Sequence, residues 1–231
     1  MFDFSKIEIK LITNNEAKQF MQKYHYTKSC PKSTYALGFY YNNQLCTMIV
    51  YGQPSNFNLA KSLWEGGNEQ ECLELLRLFS FDWCPKNIES YCISKSIKWL
   101  KQNHPEIKIL VSYADTSVGH VGYIYQASNW LYIGKSSAER EIFIDGIKRH
   151  RRDLYDKFGT SSLKELKNIL GERLKLGERH KKNKYIYILG KNKTEHKELL
   201  KKLKVKPLPE YPKGNLTYYD NLKDARLLKN E

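Results

Sequence analysis

Ser112, Asp115, His120, Tyr123 and Tyr125 crowd into one short stretch of the chain, Ile107–Trp130, IKILVSYADTSVGHVGYIYQASNW. A hydroxyl, a carboxylate, an imidazole and two phenols at that density can take, relay and donate protons. Ile109, Val111, Tyr113 and Asp115 alternate onto one side of an extended segment. That delivers the carboxylate to the segment's C-terminal end, where α/β sheets open their ligand crevices. Ser112 and Asp115 are therefore candidates for chemistry. The Gly-, His- and Tyr-rich run that follows has little amphipathic logic, and local rules broken in this way mark functional sites.

Further groups surround this stretch in the sequence. Arg77 lies in CLELLRLFSF, Cys72–Phe81, where Leu73, Leu75, Arg77, Phe79 and Phe81 read onto one side. On neighbouring strands Arg77 and Asp115 can meet, either as a structural ion pair of little net value or as an anion clamp beside a base. Lys86, Asn87, Ser90 and Ser94 surround the start of the next helix, where backbone N–H groups and the helix dipole suit a phosphate. Ordinary capping explains those residues equally well. Tyr24, His25 and Tyr26, followed by Ser29 and Cys30, place aromatic faces and an imidazole in a loop, fit either to stack on a base or to plug the core. No His/Asp/Glu set has metal spacing, so no metal is expected, and neither a GxSxG elbow nor a Cys-His pattern points to a hydrolase.

The elements that must position these groups follow from periodicity and turn chemistry. Ile7–Ile12 reads as a strand, and a helix starts at an Asn14/Asn15 cap and ends near Tyr24. Thr34–Tyr41 and Gln44–Gly52 read as a hairpin turned by Asn42 and Asn43. Cys72–Phe81 reads as a buried strand, Ile88–Gln102 as a helix with Asn87 as N-cap, and Ile107–Asp115 as the next strand. That order is a βαβ crossover, which makes the two strands parallel neighbours. Glu139–Asp145 and Lys184–Leu189 are later strands. The segment 147–182 reads as a basic helical insert with a helix at Ser161–Leu170, and Gly171 and Gly177 mark helix ends. The expected fold is α/β, a mixed and twisted central sheet with flanking helices, over residues 1–190. Residues 191–231, with Pro207, Pro209 and Pro212, read as a loosely attached basic tail.

Composition narrows the partners. The chain has 231 residues, 41% hydrophobic and 28% charged, with no long apolar run, and reads as soluble, intracellular and free of membrane contact. Five cysteines without a CxxC pair read as free thiols. The net charge of +14 is uneven: residues 1–130 carry +2 and residues 131–231 carry +12. Lys148, Arg149, Arg151, Arg152, Lys181 and Lys182 form the expected phosphate-contacting patch for double-stranded DNA. A solvated lysine-rich surface is the plain alternative, and the composition also admits a homodimer.

In this order, YHYT at Tyr24–Thr27, LELLRLFSF around Arg77, the serine-bearing helix after Asn87, LVSYAD ending at Asp115, GHVGYIYQASNW and the late KYIYILG resemble the Mom family of bacteriophage DNA-modification proteins. The resemblance covers roughly residues 20–190. It implies a fold like that of the GCN5-related N-acetyltransferases. It also implies conversion of adenine in phage DNA to a carbamoylmethylated form that resists host restriction, in the cytoplasm of the bacterial host. By the same resemblance Arg77, Asp115 and Tyr125, with His25 and Tyr26 behind them, carry the activity, and the helix after Asn87 holds a CoA pyrophosphate. The acetyltransferase loop Arg/Gln-x-x-Gly-x-Gly/Ala is replaced here by FDWCPKN, so either acetyl-CoA or another two-carbon donor is implied. Two other classes fit the residues: an acetyltransferase acting on a tRNA, protein or amine, and a non-catalytic DNA-binding module that masks restriction sites.

Overall fold

The computed structural model describes residues 2–56, 58–149 and 151–214. They fall into two compact units: Met1–Ala114, Val121–Gly134 and Lys184–Lys213 make the first, and Asp115–His120 and Lys135–Asn183 belong to the second.

The first unit begins with β1 (Glu8–Ile12), α1 (Asn14–Tyr24), β2 (Tyr35–Tyr41), β3 (Gln44–Gly52) and α2 (Leu59–Leu63). β4 (Cys72–Ser80), α3 (Ile88–Asn103), β5 (Ile109–Ala114), α4 (Tyr123–Ala127) and β6 (Leu131–Lys135) follow. The second unit holds β7 (Glu139–Ile144), β8 (Ile147–Arg149), α5 (Arg151–Phe158), α6 (Leu163–Leu170) and β9 (Leu174–His180); β10 (Asn183–Ile188) and α7 (Lys193–Lys201) then return to the first. The main sheet runs β1-β2-β3-β4-β5-β10-β6. β1 to β4 pair antiparallel and β4 pairs parallel with β5, which gives the mixed α/β sheet expected and confirms the crossover.

Local chemistry explains the frame. Asn42 and Asn43 both take positive φ, 48° and 62°, as a two-residue hairpin with right-handed strand twist requires. α1 is capped by Thr13, one residue earlier than expected, in a capping box with Glu16. Asn14 instead accepts the Ser33 N–H at 2.8 Å. α3 buries Ile88, Cys92, Ile93, Ile97 and Leu100 against Leu37, Ile49, Tyr51, Leu73 and Leu110. Alternation sends the intervening strand residues to the opposite face. There Met48 and Val50 meet Ala17 and Met21 of α1, while Cys72, Ile109 and Val111 meet α2 and α7.

Three expectations need correction. The first concerns Arg77. Val50 pairs with Arg77 but Tyr51 pairs with Leu75, so Leu76 is the extra residue of a β-bulge. Alternation reverses there: Leu78 joins the α3 core, while Leu76 and Phe79 pack on the α1 side. Arg77, opposite Val50, is thereby turned away from the face of Leu73 and Leu75. The second concerns the basic insert, which is not purely helical. β8, β7 and β9 form a three-stranded antiparallel sheet, and Ile142 and Ile144 pack on Leu154, Leu166 and Leu170 of α5 and α6. Gly171 ends α6 as expected, with φ 52°, but Gly177 lies inside β9, where a Cβ would come 2.7 Å from the Phe143 ring.

The third correction is the tail. Residues 193–201 are helical, and the chain beyond them is held down by backbone bonds: Glu65 N to Lys202 O, Lys204 N to Leu63 O and Leu208 N to Tyr132 O, each 2.8 Å. Leu199, Leu203 and Val205 complete the core between the sheet and α2. Their spacing among lysines hid an anchored segment. Residues 215–231 of the expected tail lie outside the described residues. Among the described residues no helix is long and apolar enough to cross a membrane.

Candidate active site

β4 and β5 are in register only at Cys72/Ile109, Leu73/Leu110 and Glu74/Val111. Just past this point the buried Ser112 Oγ lies 3.0 Å from the Leu75 carbonyl oxygen and 2.7 Å from Tyr125 Oη. A carbonyl only accepts, so the single serine proton goes to Leu75 and the Tyr125 hydroxyl donates to Ser112 Oγ. Burial pushes the Tyr125 phenol well above its ordinary 10.0, and the nearby Tyr26 and Glu74 reinforce it. Tyr125 is therefore held as the neutral phenol.

Tyr125 sits on α4, a short helix inside the Gly-, His- and Tyr-rich run after β5. Its helix begins at Gly122, whose φ is +94° and whose missing Cβ would stand 2.5 Å from the Tyr185 ring. Only glycine fits that backbone and that gap. Tyr185 of β10 is fixed in turn: its hydroxyl donates to Val121 O at 2.5 Å and accepts from Gln126 Nε2 at 3.1 Å. Rings of Trp130 and Tyr185 each lie 5.2 Å from that of Tyr125. On the far side Tyr51 and Ser96 share a buried 2.7 Å hydroxyl bond that fastens β3 to α3. Tyr51 and Tyr185 escape sequence reasoning because each reads as ordinary core; GHVGYIYQ is the available signal for the glycine.

The loop after α1 is a second constellation. Arg77 Nε donates to Ser29 O at 2.9 Å and Nη2 to Ser29 Oγ at 3.1 Å. Thr27 Oγ1 also approaches Ser29 O, at 3.3 Å, and lies 2.8 Å from His25 Nδ1. The Thr27 N–H donates to the same Nδ1 at 3.2 Å, so that nitrogen carries no proton and the imidazole is the Nε2–H tautomer. His25 is buried; the ring of Tyr26 lies tilted against it, centroids 4.5 Å apart, and is 48% exposed. The bulge at Leu76 is what aims Arg77 at this loop. Thr27 and Ser29, which the sequence places beside the aromatic residues of this loop, complete the link.

The expected pairing of Arg77 with Asp115 joins residues of different units. Within the first unit Arg77 is held by the 25–29 loop; within the second, Asp115 Oδ1 caps a 3-10 turn, accepting from Ser117 N at 3.0 Å and Ser117 Oγ at 2.6 Å.

Asn87 precedes α3 as expected, but with φ 70° and no side-chain cap. Ser90 Oγ donates to Asn87 O at 3.0 Å and Ser94 Oγ to Ser90 O at 2.9 Å. Those hydroxyl protons are engaged, so a phosphate here would be met by first-turn amides and by the exposed Lys86, not by the two serines.

In the second unit Arg149 ends the edge strand β8, and Arg151 opens α5 with Nη1 donating to Ser161 O at 3.1 Å. Lys181 is exposed, its carbonyl accepting from Thr116 Oγ1, and Lys182 bonds Ser136. Lys148 and Arg152 are backbone positions on β8 and α5. The five cysteines are free, and among the described residues no His, Cys, Asp or Glu group could hold a metal ion.

The chain is similar to the methylcarbamoylase Mom of Escherichia phage Mu, 29% identical over 217 residues that cover 89% of this chain and 84% of the relative. Among solved structures it is similar to an N-acetyltransferase from Staphylococcus aureus Mu50, with TM-score 0.41, 17% identity and coverage of 79% of this chain and 97% of that one. It is also similar to a ribosomal-protein-S5-alanine acetyltransferase from Vibrio fischeri, with TM-score 0.45, 10% identity and coverage of 81% and 95%. The model of the Mom protein family matches residues 6–213, nearly the whole chain, and the chain belongs to that family.

Proposed function

We propose that this chain is a transferase that places a carbamoylmethyl group on the exocyclic amine of adenine in double-stranded phage DNA. It would act in the cytoplasm of the bacterial host, where the modified base resists restriction. The observation that carries this reading is the buried Ser112–Tyr125 hydroxyl pair just where β4 and β5 leave register. A protonated phenol with a hydroxyl relay suits a group transfer in which negative charge develops.

The geometry supports the following roles. Tyr125 Oη holds the proton and Ser112 Oγ orients it. Arg77 positions the 25–29 loop, which offers the exposed ring of Tyr26 beside His25. The His25 Nδ1 lone pair is occupied by the Thr27 amide, and Asp115 is the group we assign to take the amine proton. Adenine's amino group is a weak nucleophile, its lone pair delocalised into the ring, and reaching it in a duplex requires extruding the base. Arg149, Arg151 and Lys181, with Lys148, Arg152 and Lys182, would meet phosphates. The first-turn amides of α3 and Lys86 would hold an anionic carrier such as CoA; acetyl-CoA bound there would supply two carbons but not the carbamoyl nitrogen, so another two-carbon donor that already bears that nitrogen would fit the product.

The test is to digest DNA from cells making the protein to nucleosides and weigh the adenine product. A carbamoylmethyl mass increment is expected, and it should be lost with Asp115→Asn. Full modification by Asp115→Asn would remove Asp115 from its role. Unmodified DNA with tight DNA binding would favour a masking module, and acetylated tRNA or protein a different acyl acceptor.

A further inference from the structure

The basic surplus does not sit only in the second unit. Residues 184–213, in the first unit, hold nine lysines against three glutamates, half of the excess carried by residues 131–231. Lys193, Lys197 and Lys201 recur at i, i+4 and i+8 along α7 and are all exposed. The anchored strap adds exposed Lys202, Lys204 and Lys206, and Lys204 Nζ donates to the carbonyl of exposed Lys61 on α2 at 3.1 Å.

Lys193 and its four-residue spacing from Lys197 work against the helix, whereas Lys201, in the last turn, suits the negative end of the dipole. Lys193 is its first residue, where the positive end of the dipole disfavours a cation. Like charges four residues apart are unfavourable as well. Among the described residues none of the three is in an ion pair, and Glu195 is turned to Lys108, 2.7 Å away. A stripe whose first two lysines weaken its own helix gains its compensation from an anionic partner.

We propose that this α7 stripe, continued by the strap and Lys61, is a second phosphate-tracking surface, which holds duplex DNA on the same unit as the Ser112–Tyr125 pair. The proposal rests on the DNA reading above. At about 1.5 Å rise per residue the stripe runs ~12 Å, facing roughly three or four phosphates of one strand at about 3.4 Å each.

Full-length protein is titrated by fluorescence anisotropy with a short duplex between 50 and 200 mM salt. The triple variant Lys193→Gln/Lys197→Gln/Lys201→Gln is compared with Lys6→Gln/Lys18→Gln/Lys98→Gln, which removes the same charge from exposed positions elsewhere. Each lost phosphate contact lowers the salt slope by about 0.9. The α7 variant should therefore have a slope shallower by about 2.7, losing roughly 40-fold less affinity across that range, with a Tm equal to or above wild type. The control should keep the wild-type slope. Wild-type slope and affinity in the α7 variant would overturn the assignment while leaving the DNA reading intact, as would an equal loss in the control. A lower Tm that accounts for the loss, or an effect seen only on an RNA hairpin, would also overturn it. Failure of the wild type to bind duplex would overturn both.

Discussion

Replacing Ser112 by alanine should harm the fold more than replacing Tyr125 by phenylalanine, although the serine is the smaller group. Ser112 is 1% exposed and Tyr125 7%. With Ser112 donating to Leu75 O and accepting from Tyr125 Oη, Ser112→Ala leaves a buried carbonyl without its donor and a buried phenol without its acceptor. Each such group costs about 1–3 kcal/mol, so the pair together costs about 3 kcal/mol. Tyr125→Phe removes only the donor to Ser112, whose bond to Leu75 survives, and costs about 1 kcal/mol. For a chain of this size that means Tm losses of roughly 6–12 °C and 2–4 °C, readable by circular dichroism. The order inverts for activity: Tyr125→Phe, nearly native in stability, should reduce modified adenine by about 100-fold or more if the phenol is the acid. A Tyr125→Phe protein as destabilised as Ser112→Ala would refute the proton assignment. One that is stable and fully active would refute the acid.

Gly122→Ala should lower stability by about 2–6 kcal/mol, through its positive φ and a methyl driven into the Tyr185 ring. Tyr185→Leu on top should recover part of the loss, and a wild-type Tm for Gly122→Ala alone would contradict the packing described. Arg77→Lys keeps the charge but not the paired bonds to Ser29 O and Oγ, so amides from Thr27 to Cys30 should exchange faster by mass-spectrometric hydrogen exchange. Unchanged protection there would mean that Arg77 does not hold the loop. Stability should fall at alkaline pH. Burial raises Cys72, Cys84 and Cys92 from 9.0 to about 12, and Tyr51 and Tyr125 above 10.0. The folded state then keeps protons that the unfolded state releases, so this stability is complete below about pH 9 and is lost as pH rises toward about 12. A urea midpoint that stays flat between pH 8 and 10.5 would contradict it.

Much of the frame was legible in the chain. The alternation of β2 and β3 around Asn42 and Asn43, the amphipathic α3 and the crossover joining β4 to β5 are set by neighbours in sequence, whose side-chain periods of 2 and 3.6 do not depend on distant contacts. Ser112, Asp115 and Tyr125 stood out for a related reason: polar groups after a buried strand break the local pattern. The bulge at Leu76 left no such mark, because an extra residue on β4 exists only against Tyr51 and Val50 of β3. It nevertheless decides which face Arg77 takes and that it grips Ser29. α7 and its strap were hidden likewise, since Leu199, Leu203 and Val205 show their value only in the core they complete beside α2. Residue types and local period thus determined which groups could do chemistry and the elements that carry them. Which of those groups meet was decided by tertiary pairing, because register and burial are properties of two chain segments at once.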